Sequence, residues 1–377
     1  MRSVEDIAHL QNVPVLVRTS LNAEVNDGRV TEAFRLRSAV PTIQFLKDKG
    51  ARVILAGHVS GTDTSTLAPM YEAMTAWFPG MKFCPVATGP EARRMARELL
   101  PGEVLMLENL RRDKREERND PEFARELAEL ADVFVQDSFD VLHRKHASVV
   151  GVPQLLPSYA GLQVMLEVRE LGSAMKPARP ALALVGGAKF GTKEPVLHAL
   201  LDRYDRVFVG GALANDFMQA KGLPVGSSLV SGADTAAVKK LLTHPAIALP
   251  KDYVVAPKGA TRKEGRVAAI DDVAPNEAIL DNGPKTVAFL AELAAHAKTV
   301  LWNGPLGNYE NGFTEGTEAL AIALTKTDAH TIVGGGDTVA AIEKLKLDHR
   351  ISFISTGGGA MLDFLAYGTL PGLDALK

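Results

Sequence analysis

The sequence predicts an α/β protein of two parallel-sheet domains. Three observations lead there. Apolar β-branched runs alternate with helix-like runs, the alternation halts once near the middle and resumes, and 377 residues are enough for two substantial cores. Apolar residues make up 46% and charged residues 23%, the balance of an ordinary globular chain. The net charge of −3 gives no general attraction to nucleic acid or an anionic membrane, so any anion site has to be assembled locally. The single cysteine, Cys84, excludes a disulfide within the chain and points to a reducing compartment. "MRSVEDIAHL" lacks a signal-peptide core and no apolar run reaches membrane-spanning length, so a cytoplasmic protein is the expectation.

In the first half, the strand "VPVLVR" (13–18) precedes a helix over about 31–49 and the strand "ARVILAGH" (51–58). A helix near 91–100 leads to "GEVLMLEN" (102–109), and one near 121–131 leads to "ADVFVQD" (131–137). The pause covers 151–180, where prolines bracket a helix over roughly 160–175, as in an interdomain helix rather than a loose linker. Strands then resume at "PALALVGGAK" (180–189), "DRVFVGGAL" (205–213), "KTVLWNGPLG" (298–307), "HTIVGGG" (330–336) and "RISFISTGGG" (350–359). There is no short internal repeat and no low-complexity segment.

Each of these later strands ends in small residues: Gly186–Gly187, Gly210–Gly211, Gly304, Gly334–Gly336 and Gly357–Gly359. Ligands of open parallel sheets bind at the carboxyl ends of the strands, so five such turns would lay down a floor of exposed backbone. "TIVGGGDTVAAI" (331–342) is the clearest case: a glycine turn into a helix start is where backbone N–H groups meet an anion, and it is equally a tight turn with nothing bound. Asp337 reads either as the N-cap of that helix or as a Mg²⁺ ligand working with phosphates. Lys189 and Lys193, four apart, reach phosphate oxygens together if a helix begins near Thr192; otherwise they are solvated surface lysines. No Walker A or dinucleotide fingerprint is present.

In the first half, Arg18, Arg35, Arg111, Arg144 and His58 stand near strand or helix ends. Converging, they hold a small, multiply anionic molecule; separately, they are ordinary surface residues. "RRDKREERND" (111–120) is nearly charge-balanced and reads as a solvated segment apart from Arg111. His143 and His146 lack a third ligand nearby for a metal. A polyphosphate on one domain and a small anion on the other suggest phosphoryl transfer. No base is evident, and a carboxylate acceptor, already ionised near neutral pH, needs none.

Over almost its whole length the chain resembles the phosphoglycerate kinase family. "VGGAKFGTK", "GSSLV", "DNGPKT", "WNGPLGNYE", "VGGGDTVAAIEK" and "STGGGAMLDFL" follow that family in order, as do "RLRSAVPTIQFLKDKGARVILAGH" and "DVFVQDSFDVLHRKHAS". The resemblance implies phosphate transfer between ATP or ADP and the carboxylate of 3-phosphoglycerate, with Mg²⁺. It also implies two Rossmann-like domains that close about a hinge. These are expected at 1–157 and 179–361, joined by a helix in 158–178, with the tail, about 362–377, returning to the first domain. It implies Asp337 at Mg²⁺–nucleotide, Gly334, Gly335, Gly336 and Thr338 around the phosphates, and Lys189 and Lys193 on the nucleotide phosphates and the transferring group. Gly187, Gly210, Gly211, Pro305 and Glu310 are to line the adenosine pocket. Arg35 is to neutralise the phosphoryl group in flight beside Lys193, Gly335 and Gly358, with Ser20, Asn22, His58, Arg111 and Arg144 at the acceptor. The expected partner is a small carboxylate, without nucleic acid or membrane, and the expected state a monomer.

The departures from the family pattern lie on the acceptor side. Ser20 stands where an aspartate is usual, Gly61 where an arginine is, and Asp140–Val141 where Gly-Thr is; on the nucleotide side Thr192 stands for an aspartate. Losing one charge-assisted arginine contact costs about 2–3 kcal/mol unless something, such as Arg112, replaces it. Asp140 brings the wrong charge toward a phosphate pocket. Three readings follow: a phosphoglycerate kinase with a rebuilt acceptor pocket, a related kinase for another carboxylate, and a nucleotide-binding protein without turnover.

Overall fold

The computed structural model describes residues 1–62 and 64–377. The chain divides into two compact units, Met1–Arg169 with Thr369–Lys377, and Glu170–Gly368. The strands of the first unit are β1 (Pro14–Arg18), β2 (Val25–Asn26), β3 (Arg29–Val30), β4 (Arg52–Ala56), β5 (Lys82–Phe83), β6 (Val104–Met106), β7 (Val133–Gln136) and β8 (Ser158–Ala160). Six of them form a parallel sheet ordered β5-β6-β4-β1-β7-β8, and β2 and β3 pair as a separate antiparallel hairpin. The strand order reverses between β1 and β7, which makes their carboxyl ends the crevice of this sheet. The helix Phe34–Asp48 buries Leu36, Ala39, Ile43 and Leu46 on β-strand residues such as Val17, Val53 and Val135. That three-then-four spacing is one apolar stripe, and burying each large side chain stabilises by about 1.5–3 kcal/mol. The stripe fixes the helix's first turn, and with it Arg35.

The strands of the second unit are β9 (Ala181–Val185), β10 (Arg206–Val209), β11 (Ile247–Ala248), β12 (Asp252–Pro257), β13 (Arg266–Ala269), β14 (Glu277–Asn282), β15 (Thr299–Asn303), β16 (His330–Gly334) and β17 (Phe353–Ile354). Its parallel sheet is ordered β11-β10-β9-β15-β16-β17, with the reversal between β9 and β15. Every residue of β9 and β15 is buried, as expected of a sheet covered on both faces. An antiparallel sheet, β13-β12-β14, belongs to the same unit. It lies in a stretch, 214–297, where the sequence reading places no element: β12, β13 and β14 follow one another without intervening α-helices and so break the strand–helix rhythm of the rest.

The helix Leu162–Ala174 carries the division between the units at Arg169/Glu170. The tail that joins the first unit is Thr369–Lys377, shorter than 362–377, and Gly372 N–H donates to the Leu142 carbonyl at 2.8 Å. The preceding helix, Gly359–Tyr367, stays with the second unit, where it packs on Phe190–Leu201 and Arg203 Nη1 donates to its Leu365 carbonyl at 2.7 Å.

Candidate active site

In the second unit, β10, β9, β15, β16 and β17 are neighbours, so the five glycine turns leave one edge side by side. Four helices start there: Phe190–Leu201, Leu213–Ala220, Gly336–Lys344 and Gly359–Tyr367. None has a side-chain cap; their N-cap residues are Lys189, Ala212, Gly335 and Gly358. Asp120 and Asp234 cap two helices elsewhere, but Phe34–Asp48, Pro90–Arg97 and Glu315–Leu324 also lack such a cap, so what sets this edge apart is the gathering of four helix starts. Three of these amino ends leave N–H donors and positive dipole ends for an anion, whereas at the fourth the Leu213 N–H already donates to the Gly187 carbonyl at 2.7 Å.

The glycines divide into two groups. A Cβ on Gly186 would stand 2.7 Å from the Gly304 carbonyl oxygen, one on Gly210 2.7 Å from the Phe208 ring, and one on Gly334 against the Met361 sulfur. These permit the turns to pack on one another. Gly336 and Gly358 have nothing within 4 Å of a Cβ, and Gly187 makes room for Lys193, whose Cε lies 3.3 Å from the Cβ position. Only part of the expected floor is therefore open backbone.

Asp337 is not the N-cap. Gly335, at φ 100°, occupies that position, which leaves Asp337 inside the first turn, half-buried and with its carboxyl pushed up by burial and by the Glu310 charge. Two carboxylates that repel one another at the mouth of an anion cradle suit a divalent cation that takes most of its ligands from phosphates and water. Thr338 is fully buried, and its Oγ1 has no protein partner among the described residues. The lysine helix begins at Phe190, earlier than expected, so Lys189 lies outside it and the two lysines do not share a helix face. Lys189 is exposed; Lys193 is half-buried, and burial lowers its pKa to about 8 despite the Asp363 charge.

Beside the edge lies a cavity of about 370 Å³ whose lining includes Gly187, Gly211, Pro305, Glu310 and Asp337. Its apolar wall was not legible in the sequence: Leu229, Tyr253, Ile279, Leu280 and Leu306. The Tyr253 hydroxyl, on this wall, is buried with no protein partner among the described residues. Gly210 is not among the lining residues; it is buried behind them.

In the first unit the cations do converge. His58 is buried, and its pKa is driven well below the ordinary range by burial and by Arg18, Arg111, His146 and Arg35. His146 falls to about 4 through burial and through Arg111, Arg18, Arg144 and His143. Arg18, however, is a supporting residue. It is 1% exposed; Nε donates to Ser148 Oγ at 3.0 Å, Nη1 to the Thr19 carbonyl at 2.8 Å, and Nη2 to His58 Nδ1 at 3.0 Å. A guanidinium cannot accept, so Nδ1 of the neutral ring accepts and the His58 proton sits on Nε2. Glu116 accepts from Ser148 N at 2.9 Å and Oγ at 2.5 Å and is itself buried, so the charged segment 111–120 is not merely solvated.

Arg35 Nη1 donates to the Asn22 carbonyl at 3.1 Å, and Asn22 Oδ1 accepts from Ser60 N at 2.8 Å. Arg111 Nη1 reaches Ser60 Oγ at 3.4 Å, with Glu117 3.4 Å from its Nε. Arg144 is exposed and makes no side-chain bond among the described residues. Ser20 Oγ is buried without a protein partner among the described residues. Arg112 is no replacement cation, because it pairs with the buried Glu108 at 2.8 Å. Asp140 turns to Ser138 Oγ at 2.5 Å, beside Arg18, so its charge is met within the wall.

A model of the family described as "Phosphoglycerate kinase" matches residues 4–367. The chain belongs to the phosphoglycerate kinase family. It is 43% identical to the phosphoglycerate kinase of Moorella thermoacetica, over 97% of each chain, and 44% identical to that of Thermus thermophilus, over 96% of each. Among solved phosphoglycerate kinases, that of Coxiella burnetii superposes with a TM-score of 0.82 at 35% identity, covering 99% of this chain and 98% of that one. That of Pyrococcus horikoshii gives 0.91 at 29% identity, covering 100% and 98%. Within this family frame Gly61 has a physical constraint of its own: φ is 144°, and a Cβ would meet Ser65 Oγ, so an arginine cannot simply be restored there.

Proposed function

We propose that the protein transfers a phosphoryl group between ATP and the carboxylate of 3-phosphoglycerate, forming an acyl phosphate. One observation carries this reading: each unit has an anion site at the carboxyl edge of its own parallel sheet, and the two are of different kinds. The cavity bounded by Leu229 and Tyr253 suits an adenosine, and the uncapped helix starts suit its phosphates. Mg²⁺, held by Asp337 through the phosphates, would offset charge on the polyphosphate. The Lys193 ammonium, close to Gly187, would follow the transferring group and stabilise it as charge develops. Gly335 and Gly358 would contribute backbone N–H groups beside it. In the first unit Arg35 would meet the phosphoryl oxygens, while His58 Nε2–H, Arg111 and Arg144 hold the acceptor. The acceptor carboxylate is already ionised, so the chain supplies position and charge rather than a base. Transfer requires the two edges to meet during turnover, which is the hinge motion we assign to the molecule.

The test is a coupled turnover assay with Mg–ATP and 3-phosphoglycerate, run beside a panel of small carboxylates that lack the phosphate or the hydroxyl. The reading predicts saturable turnover with 3-phosphoglycerate at or below millimolar concentration and at least tenfold lower kcat/KM for each other acid. No turnover with 3-phosphoglycerate while another acid is phosphorylated would overturn it.

A further inference from the structure

We propose that residues 226–231 form a strap beside the nucleotide cavity that presents Leu229 to it, and that Asp216 is the positioning residue that holds it. The inference rests on reading that cavity as the nucleotide site. On one side the strap is tied to β14: Ser227 N–H donates to the Glu277 carbonyl at 2.8 Å, and Ser228 Oγ accepts from Ile279 N at 2.7 Å. On the other it is tied to the helix Leu213–Ala220. Asn215 Nδ2 donates to the Leu229 carbonyl at 2.9 Å, and Ser231 N–H donates to Asp216 Oδ1 at 2.9 Å.

Between these ties sits Leu229, 62% exposed. It lines the nucleotide cavity and also a second cavity, of about 670 Å³, that reaches Lys189 and Ser231. The leucine is thus a partition whose apolar face is left to a flat ligand such as a nucleobase. Its position depends on the strap, because it and its neighbours in sequence are held by these hydrogen bonds rather than by a core. Asp216 is 5% exposed, and its second carboxylate oxygen has no protein partner among the described residues. Burying a carboxylate to accept a single backbone N–H is costly for stability. An acid retained there is better accounted for by the loop it fixes than by the helix it stands on.

Asp216→Ala removes the acceptor for Ser231, whereas Asp216→Asn keeps an oxygen in its place. Asp216→Ala should raise KM for Mg–ATP about five- to tenfold, with kcat and the acceptor KM within twofold of the wild type; Asp216→Asn should stay within twofold throughout. Leu229→Ala should raise the nucleotide KM similarly, and the Asp216→Ala/Leu229→Ala double variant no further than Leu229→Ala alone. An unchanged nucleotide KM in Asp216→Ala, a double variant in which the single effects multiply, or a fall in kcat in Asp216→Asn overturns the proposal. Titration of Mg–ATP into the wild-type protein separates the two levels. No binding there removes the nucleotide reading and this inference with it; normal binding alongside an unaffected Asp216→Ala removes only the strap.

Discussion

The two edges offer hydrogen-bond donors of opposite kinds. In the second unit the donors are main-chain N–H groups at the starts of Phe190–Leu201, Gly336–Lys344 and Gly359–Tyr367, and the nearby charges, Asp337 and Glu310, are negative apart from two lysines. In the first unit the donors are guanidinium and imidazole groups pressed together until both His58 and His146 are held neutral. A polyphosphate arrives with a metal ion that offsets its charge, so its cradle can be neutral and must leave room for the cation. A small phosphorylated acid arrives alone, so the protein itself supplies the positive charge. The contrast also accounts for Arg18, which is spent on holding the His58 ring rather than on ligand.

Substitutions that move a charge from one edge should show which kind of site each is. The largest effect is expected for Lys193→Ala, a loss of roughly 10²–10³ in kcat, the usual result of removing one transition-state donor. Steady-state kinetics at saturating substrates checks it, and less than a threefold loss would assign Lys193 a bystander's place. Next comes Arg111→Ala. Loss of a charge-assisted contact of about 2–3 kcal/mol corresponds to roughly 30- to 150-fold in acceptor affinity. The nucleotide KM should stay unchanged; if both KM values rise together, the two edges are not separate sites.

A pH dependence separates them further. With the Lys193 pKa lowered to about 8, the free protein loses this charge as pH rises past 8, whereas a bound polyphosphate favours the protonated form. The nucleotide KM should therefore climb above pH 8, by up to about tenfold per pH unit. Lys193→Arg should flatten that rise, and a flat wild-type profile would contradict it. A further effect is on stability rather than on turnover. Burial pushes the Asp137 carboxyl up to about 7, against donation from Gln163 and Val164 N–H groups and Thr42. The folded chain thus holds this proton more tightly than the unfolded one between about pH 4 and 7. The stabilisation is complete below pH 4 and is lost as pH rises through 7. Asp137→Asn should lessen that loss in urea unfolding at pH 4.5 and 7.5, and an unaltered difference between the two would contradict the assignment.

Much of this arrangement could be read from residues alone. The alternating runs located the strands flanking each crevice, because buried parallel strands leave long apolar stretches, and the strand-end glycines located the turns that share one edge of the second sheet. Three kinds of feature stayed hidden. The β2–β3 pair and the two-residue β5 are too short to register, and the antiparallel β12–β14 pair falls outside the strand–helix alternation that located the others. The apolar wall of the cavity beside Gly187 and Gly211 comes from Leu229, Tyr253 and the 278–280 stretch, which only the tertiary fold brings together. Direction was the third: nothing in the order of residues says that Arg18 and Arg112 turn to His58 and Glu108, or that the Gly186 and Gly304 turns press on each other while Gly336 stays open.

The division of labour between the edges is tested most directly by calorimetric titration of an Arg35→Ala/Arg111→Ala double variant with each substrate in turn. The account predicts that 3-phosphoglycerate binding falls below detection while Mg–ATP binds within twofold of the wild-type affinity. Loss of both, or retention of 3-phosphoglycerate binding, would contradict it.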